Sequence, residues 1–181
     1  MQWWLLGAVV LAALFAWYLS TTAARLDRLN KRVETSLHSL DTQLLRRVSL
    51  VTEVAGSGLL DPVSAELLAD AAHQVRVAPQ DHSDGRALAE SNLTGVLNVM
   101  FDDPENVAAL RGMPGGAQVA DEIDVASRRL TMSRRFLNDG VRANRDLRRQ
   151  KMVRWFRLQG TSQPPQTFEF DDRPPRGFGT R

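Results

Sequence analysis

From Trp3 to Leu19 the chain reads WWLLGAVVLAALFAWYL, a run with no charged residue. Seventeen such residues wound as an α-helix reach roughly 25 Å, close to the thickness of a bilayer's hydrocarbon layer. Aromatic side chains stand at both ends of the run, Trp3 and Trp4 at one and Trp17 and Tyr18 at the other. Rings with an apolar body and a polar edge hold a spanning helix at the headgroup level. The sequence therefore predicts a transmembrane anchor over residues 1–20, with Trp3, Trp4, Trp17 and Tyr18 as its interfacial residues. A cleaved secretory signal is the competing reading. Such signals open with Lys or Arg, and this chain has neither before Arg25.

The flanking cations set the expected orientation. Arg25, Arg28, Lys31 and Arg32 follow the run, diluted only by Asp27 and Glu34. Lys and Arg are retained on the cytoplasmic side. The expected location is the cell membrane, crossed once, with the bulk of the chain in the cytoplasm.

Beyond the anchor, alternating β-branched runs are missing and the helical signal is strong. Apolar residues fall at Leu26, Leu29, Val33, Leu37, Leu40, Leu44, Val48, Val51 and Ala55. Their spacing is an eleven-residue repeat, roughly 3.67 residues per turn, which keeps the stripe almost straight along one helix. A helix over 24–55 is predicted, ended by Gly56 and Gly58. Asp61-Pro62 opens a second, with Val63, Leu67, Ala71 and Val75 as its stripe. A third covers 86–101 with Leu88, Val96 and Met100 inward, and a short turn follows Pro104. The last runs from about 117 to 151. Its inner face carries Val119, Ile123, Ala126, Leu130, Leu137 and Val141, widened by Met132, Phe136, Gly140, Ala143 and Leu147. Stripes this broad predict an all-α fold, an antiparallel up-down bundle over residues 24–151 with about four helices, two of them long. Residues 152–181 read as a basic and aromatic segment, then an extended Pro/Gly-rich tail. Phe168 and Phe170 there are candidates to lie on a groove, and the last ten residues are expected to be disordered.

The net charge of +2 hides a division along the chain. Pro62 to Ser127 holds eleven acidic and three basic residues, whereas Arg128 to Arg181 holds fourteen basic and five acidic. With the chain folded up and down, the basic end of the last helix returns to the cations beside the anchor. Anionic lipid attracts each such cation by about 1 kcal/mol. Arg149, Lys151, Arg154 and Arg157 surround Trp155 and Phe156, so this segment is a candidate second membrane contact. The alternative is that Trp155 and Phe156 cover the end of the bundle.

Two blocks carry a family resemblance. The first is Asn30-Lys-Arg-Val33 with Leu40-Asp-Thr-Gln-Leu44, Arg46-Arg47 and Leu50-Val51; the second is Arg134-Arg-Phe-Leu-Asn-Asp139 with Val141-Arg142 and Asn144. In their order behind an anchor, and before a Phe-rich stretch at Thr167-Phe-Glu-Phe170, they resemble the LemA family of bacterial membrane-anchored helical proteins. The chain looks like a divergent member. The family's usual aromatic is replaced at Leu37, its Tyr at Val48 and Leu137, and its Pro-Asn at Thr52-Glu53. The matching positions are Arg32, Val33, Asp41, Gln43, Leu44, Arg46, Arg47, Arg134, Arg135, Phe136, Asn138, Asp139 and Asn144. The resemblance implies a helical bundle and gives little about activity. Among these positions Asp41 is expected either to bridge to Arg134, Arg135 or Asn138, or to stand as a separate solvated side chain.

Cysteine is absent, which excludes disulfides and thiolate chemistry. His38, His73 and His82 lack metal-ligand spacing with carboxylates, and Gly112-Met-Pro-Gly-Gly116 lacks the Lys-Ser or Lys-Thr of a phosphate loop. No catalytic, cofactor or metal residue is expected. The inventory points away from an enzyme, and the basic last third lacks the stacking aromatics of a nucleic-acid binder. The expected function is a non-catalytic, membrane-tethered protein-interaction or scaffolding module whose partners are the lipid bilayer and unidentified proteins. The alternative is a signalling or assembly subunit that forms a homo-oligomer through its long first helix.

Overall fold

A computed structural model describes residues 2–156 and 163–179. Helix dominates them and no strand occurs among them. The elements are α1 (Gln2–Gly56), α2 (Pro62–Val77), α3 (Asp84–Phe101), α4 (Pro104–Gly112), α5 (Gly116–Arg149), α6 (Lys151–Trp155) and a 3₁₀ turn at Arg176–Gly179.

The apolar run and the first amphipathic stretch are one unbroken helix of 55 residues. Between them stand Ser20, Thr21, Thr22 and Ala23, with neither Gly nor Pro to interrupt the backbone. The Thr21 and Thr22 hydroxyls each donate to the Tyr18 carbonyl at 2.9 Å, so their polar groups are satisfied inside the helix. The helix stops at Gly56, and Gly58 follows with φ of 74°.

Two compact units divide the chain: Met1–Ser36 with Leu137–Thr167, and Leu37–Phe136 with Phe168–Arg181. The first has a small core of Leu26, Leu147 and Val153, flanked by Leu29. Beside it Asn144 donates to the Asn30 side-chain oxygen at 2.7 Å, and the Arg145 guanidinium donates to the Pro165 carbonyl at 2.9 Å. Gly140 lets the backbone approach Val33, whose methyl lies 3.4 Å from where a Cβ would stand.

The second unit has a large core, running from Val48, Val51 and Val54 on α1 through Leu68, Leu93, Leu97 and Phe101 to Ile123 and Phe178. Its helix starts follow local chemistry. Asp61 accepts from the Val63 and Ser64 amides at 3.1 Å, and Asp103 accepts from the Glu105 amide at 2.9 Å, each before a Pro. The Asp61 carboxyl is held below its usual range, chiefly by the Ser64 hydroxyl and then by these amides.

The inward faces of α2 and α3 differ from the sequence expectation. Val63, Leu67 and Leu88 are exposed, and Val96 and Met100 are only partly buried. The buried residues are Leu68, Ala71, Ala72 and Val75 on α2, and Ala89, Leu93, Leu97 and Phe101 on α3. Two causes act together. The alanines of α2 give α3 a close, small-residue seat, and α3 buries Arg86, Glu90 and Thr94 on its inner face, which a hydropathy stripe assigns to solvent. On α5 Met132, Phe136 and Ala143 are exposed rather than widening the inner face, whereas Gly140 and Leu147 are buried.

The C-terminal segment corrects another expectation. Residues 172–179 belong to the last ten, expected to be disordered, yet Asp172, Pro175, Gly177 and Phe178 are buried. Phe178 packs on Phe101, ring centroids 5.5 Å apart, and the Arg176 amide donates to Asp102 at 2.8 Å. Gly177 is obligatory there, because a Cβ would come within 2.4 Å of the Phe101 carbonyl oxygen.

Candidate membrane interface

Trp3 and Trp4 are 85% and 87% exposed, and the apolar side chains from Leu5 to Tyr18 also face outward. One helix, near the N-terminus, is thus long and apolar enough to cross a membrane by length and composition. Trp17 lies fourteen residues beyond Trp3, a rise of about 21 Å. Soluble folds seldom leave so large an apolar area bare.

A second aromatic pair stands beside this helix. Gln150 is extended, with ψ of 134°, and so ends α5 before the single turn of α6. Val153 is wholly buried against Leu26 and Leu147, which fixes how α6 is rotated. That rotation leaves Lys151 and Arg154 exposed and throws Trp155 outward at 83% exposure. Phe156 meets Phe15 edge to face, with ring centroids 5.2 Å apart. Phe15 lies two residues before Trp17, so Phe156 is level with the apolar run itself, about 3 Å past the Trp17 position. Arg149 is also exposed, and Arg157 lies outside the described residues.

The positions that carry the sequence resemblance separate into buried and exposed sets. Val33, Leu44, Arg47, Asn138 and Asn144 are buried, Gln43 is partly so, and Arg32, Arg46, Arg135, Phe136 and Asp139 are exposed. Asp41 forms no bridge to the arginines of the second block. Its carboxylate lies 3.1 Å from His82 Nε2 instead, and the His82 ring stands edge-on to Phe168 at 4.9 Å. Arg134 turns to the C-terminal segment: its Nε and one terminal nitrogen reach Asp172 at 2.8 and 2.9 Å, and the other reaches Glu169 at 2.6 Å. This fork raises the Arg134 pKa, mainly through the hydrogen bond to Asp172. The guanidinium also lies 5.7 Å from the Phe170 ring centre.

Sequence reasoning missed a fully buried charged group. Glu90 is fully buried between two arginines. Arg47 pairs with one carboxylate oxygen and also donates to the Thr94 hydroxyl at 2.9 Å. Arg86 holds the other oxygen, donating from Nε at 3.0 Å and from a terminal nitrogen at 2.9 Å, and also reaches the Val75 carbonyl at 3.2 Å. The i,i+4 spacing of Arg86 and Glu90 was the available local sign. Among the described residues no three His, Asp or Glu side chains gather as a metal site would require. No protein-family model matches this chain, and no curated protein does either.

Proposed function

We propose that this chain is a membrane-tethered, non-catalytic helical bundle, a divergent relative of the LemA family, serving as a protein-interaction or scaffolding module at the bacterial cell membrane. The contact between Phe156 and Phe15 carries the reading. It sets an exposed Trp and a flank of cations beside an apolar helix whose side chains are otherwise largely bare. Lipid satisfies both sets of aromatics at once, with α6 as an interfacial contact and the cations at the headgroups. The cations after the run support a cytoplasmic bundle. In this reading the long helices run up and down, and α5 returns its basic end to the inner leaflet.

A homo-oligomer through the first helix has less support. The stripe that would mediate it, including Val33, Leu40, Leu44 and Val51, is buried within the chain.

The test is retention and sidedness. The full chain should stay with the membrane through alkaline carbonate extraction. With Cys absent, an Ala69→Cys variant offers one exposed thiol on α2. A membrane-impermeant maleimide should label it only after the cells are permeabilised. Extraction at alkaline pH would overturn the anchor, and labelling of intact cells would place the bundle outside.

A further inference from the structure

A groove of about 840 Å³ opens among α2, α3 and α4 in the second unit. We propose that it seats a basic amphipathic helix from a protein partner. The inference rests on reading the chain as an interaction module.

The groove's lining is mainly apolar, including Leu67, Val96, Val99, Met100 and Met113. Val99 is 82% exposed and Leu67 is 53% exposed, so two large side chains stand bare at its mouth. The methionines supply flexible, polarizable surface of the kind that helix-binding grooves use. The lining runs from Asp61 to Gln74 beside α2 and from Ser91 to Phe101 on α3, so the walls are about 15–20 Å long, enough for some three turns of a guest helix.

Charge selects the guest. No cation lines the groove, and its charged residues are Asp61 and Asp70. The surrounding stretch from Pro62 to Ser127 carries the strong acidic excess. Lys or Arg on the guest's polar face therefore meets carboxylates, while its apolar face enters between α2 and α3. The same charge disfavours other occupants. Two copies joined groove to groove by a two-fold axis would bring both copies of Asp61 and Asp70 into one interface to which neither groove lining contributes a cation. Anionic lipid headgroups would meet the same acidic rim.

The experiment is photo-crosslinking of the full chain in its host's membranes, with a benzoylphenylalanine at Val99 and, as a control, at exposed Arg128. The expected adduct at Val99 is a peptide of a second protein, about three turns long, with apolar residues at i, i+3 or i+4, and i+7, and Lys or Arg opposite. Asp70→Lys should lower its yield at least about fivefold, because the rim then repels the guest, with the thermal transition of the chain unchanged. The Arg128 site should give no such adduct. A crosslink to a second copy, to lipid or to a peptide without a basic face overturns the proposal, as does no crosslink or a yield indifferent to Asp70→Lys. Carbonate extraction of the same membranes separates the two readings. A chain that is retained but gives no basic-helix adduct removes the groove proposal alone; a chain that washes out removes the tether.

Discussion

The two units use their apolar residues in opposite ways. In the second, Leu, Val and Phe side chains from α1, α2, α3, α4, α5 and the C-terminal segment converge on one core, and even a carboxylate is enclosed there with two arginines. In the first, fewer apolar side chains are buried, among them Leu26, Val33, Leu137, Val141, Leu147 and Val153, while the longest apolar run of the chain faces outward. The second unit buries a large core of its own, although its groove among α2, α3 and α4 leaves Leu67 and Val99 bare. The first has apolar surface that only an apolar solvent or a partner can satisfy. The difference teaches that hydropathy alone does not locate a core: the most hydrophobic segment of this protein contributes least to one.

The largest test of that contrast is Glu90→Gln. Removing the charge leaves Arg47 and Arg86 buried against a neutral amide, an imbalance that costs about 3–5 kcal/mol. Chemical denaturation of the full chain in mild detergent should show that loss in the transition of the second unit. Replacing all three residues by apolar side chains of similar volume should recover most of it, since an enclosed ion cluster adds little over good packing.

Next comes Gly177→Ala. The added methyl collides with the Phe101 carbonyl and with that of Asp103, both backbone atoms that cannot step aside. Displacement of the 3₁₀ turn should cost about 1–3 kcal/mol and make residues 163–179 sensitive to protease at concentrations that leave the parent chain intact.

A smaller effect is expected for Arg134→Lys. An ammonium keeps the charge but loses the two-pronged grip on Asp172. Amide hydrogen exchange over residues 168–175 should quicken, with a stability loss of about 1 kcal/mol, while exchange in α2 stays as it was.

The smallest effect on stability belongs to the double change Trp155→Ser and Phe156→Ser, and it sharpens the contrast most. The denaturation midpoint of the second unit should not move. What should fall is contact with lipid. In a background with Trp3, Trp4 and Trp17 changed to Phe, brominated lipids should quench Trp155, and quenching should weaken when Phe156 becomes Ser. Absent quenching of Trp155 would separate α6 from the lipid surface, and quenching unchanged by Phe156→Ser would remove Phe156 from the contact.

Much of the fold was legible in the sequence wherever a local rule governs it. The nine-residue stripe of α1 is buried or partly buried at every position from Leu26 to Ala55. Asp61 caps the helix that follows it, whereas after Pro104, where the sequence suggests only a short turn, the nine-residue α4 forms behind an Asp103 cap. The inner faces of α2 and α3 were misplaced because Ala packs as well as Leu where helices approach closely, and because Arg86 and Glu90 are buried through partners that hydropathy does not see. The pairs Asp41–His82 and Arg134–Asp172 join residues 41 and 38 positions apart, with no nearby pattern to announce them. Phe168 and Phe170 were visible as candidates for a groove, but the clasp that Arg134 forms over the segment was not.

The docking of Phe178 into the core has a consequence for biosynthesis. Translation proceeds at about 5–20 residues per second. The apolar run of α1 therefore emerges from the ribosome many seconds before the ring that packs on Phe101. Throughout that interval the second unit's core lacks Phe168 and Phe178, and the seat on Phe101 is open. A nascent chain halted before Phe168 would display an unfilled apolar slot to chaperones and proteases, so the segment that carries Phe168 and Phe178 acts as a completeness check on the core made before it.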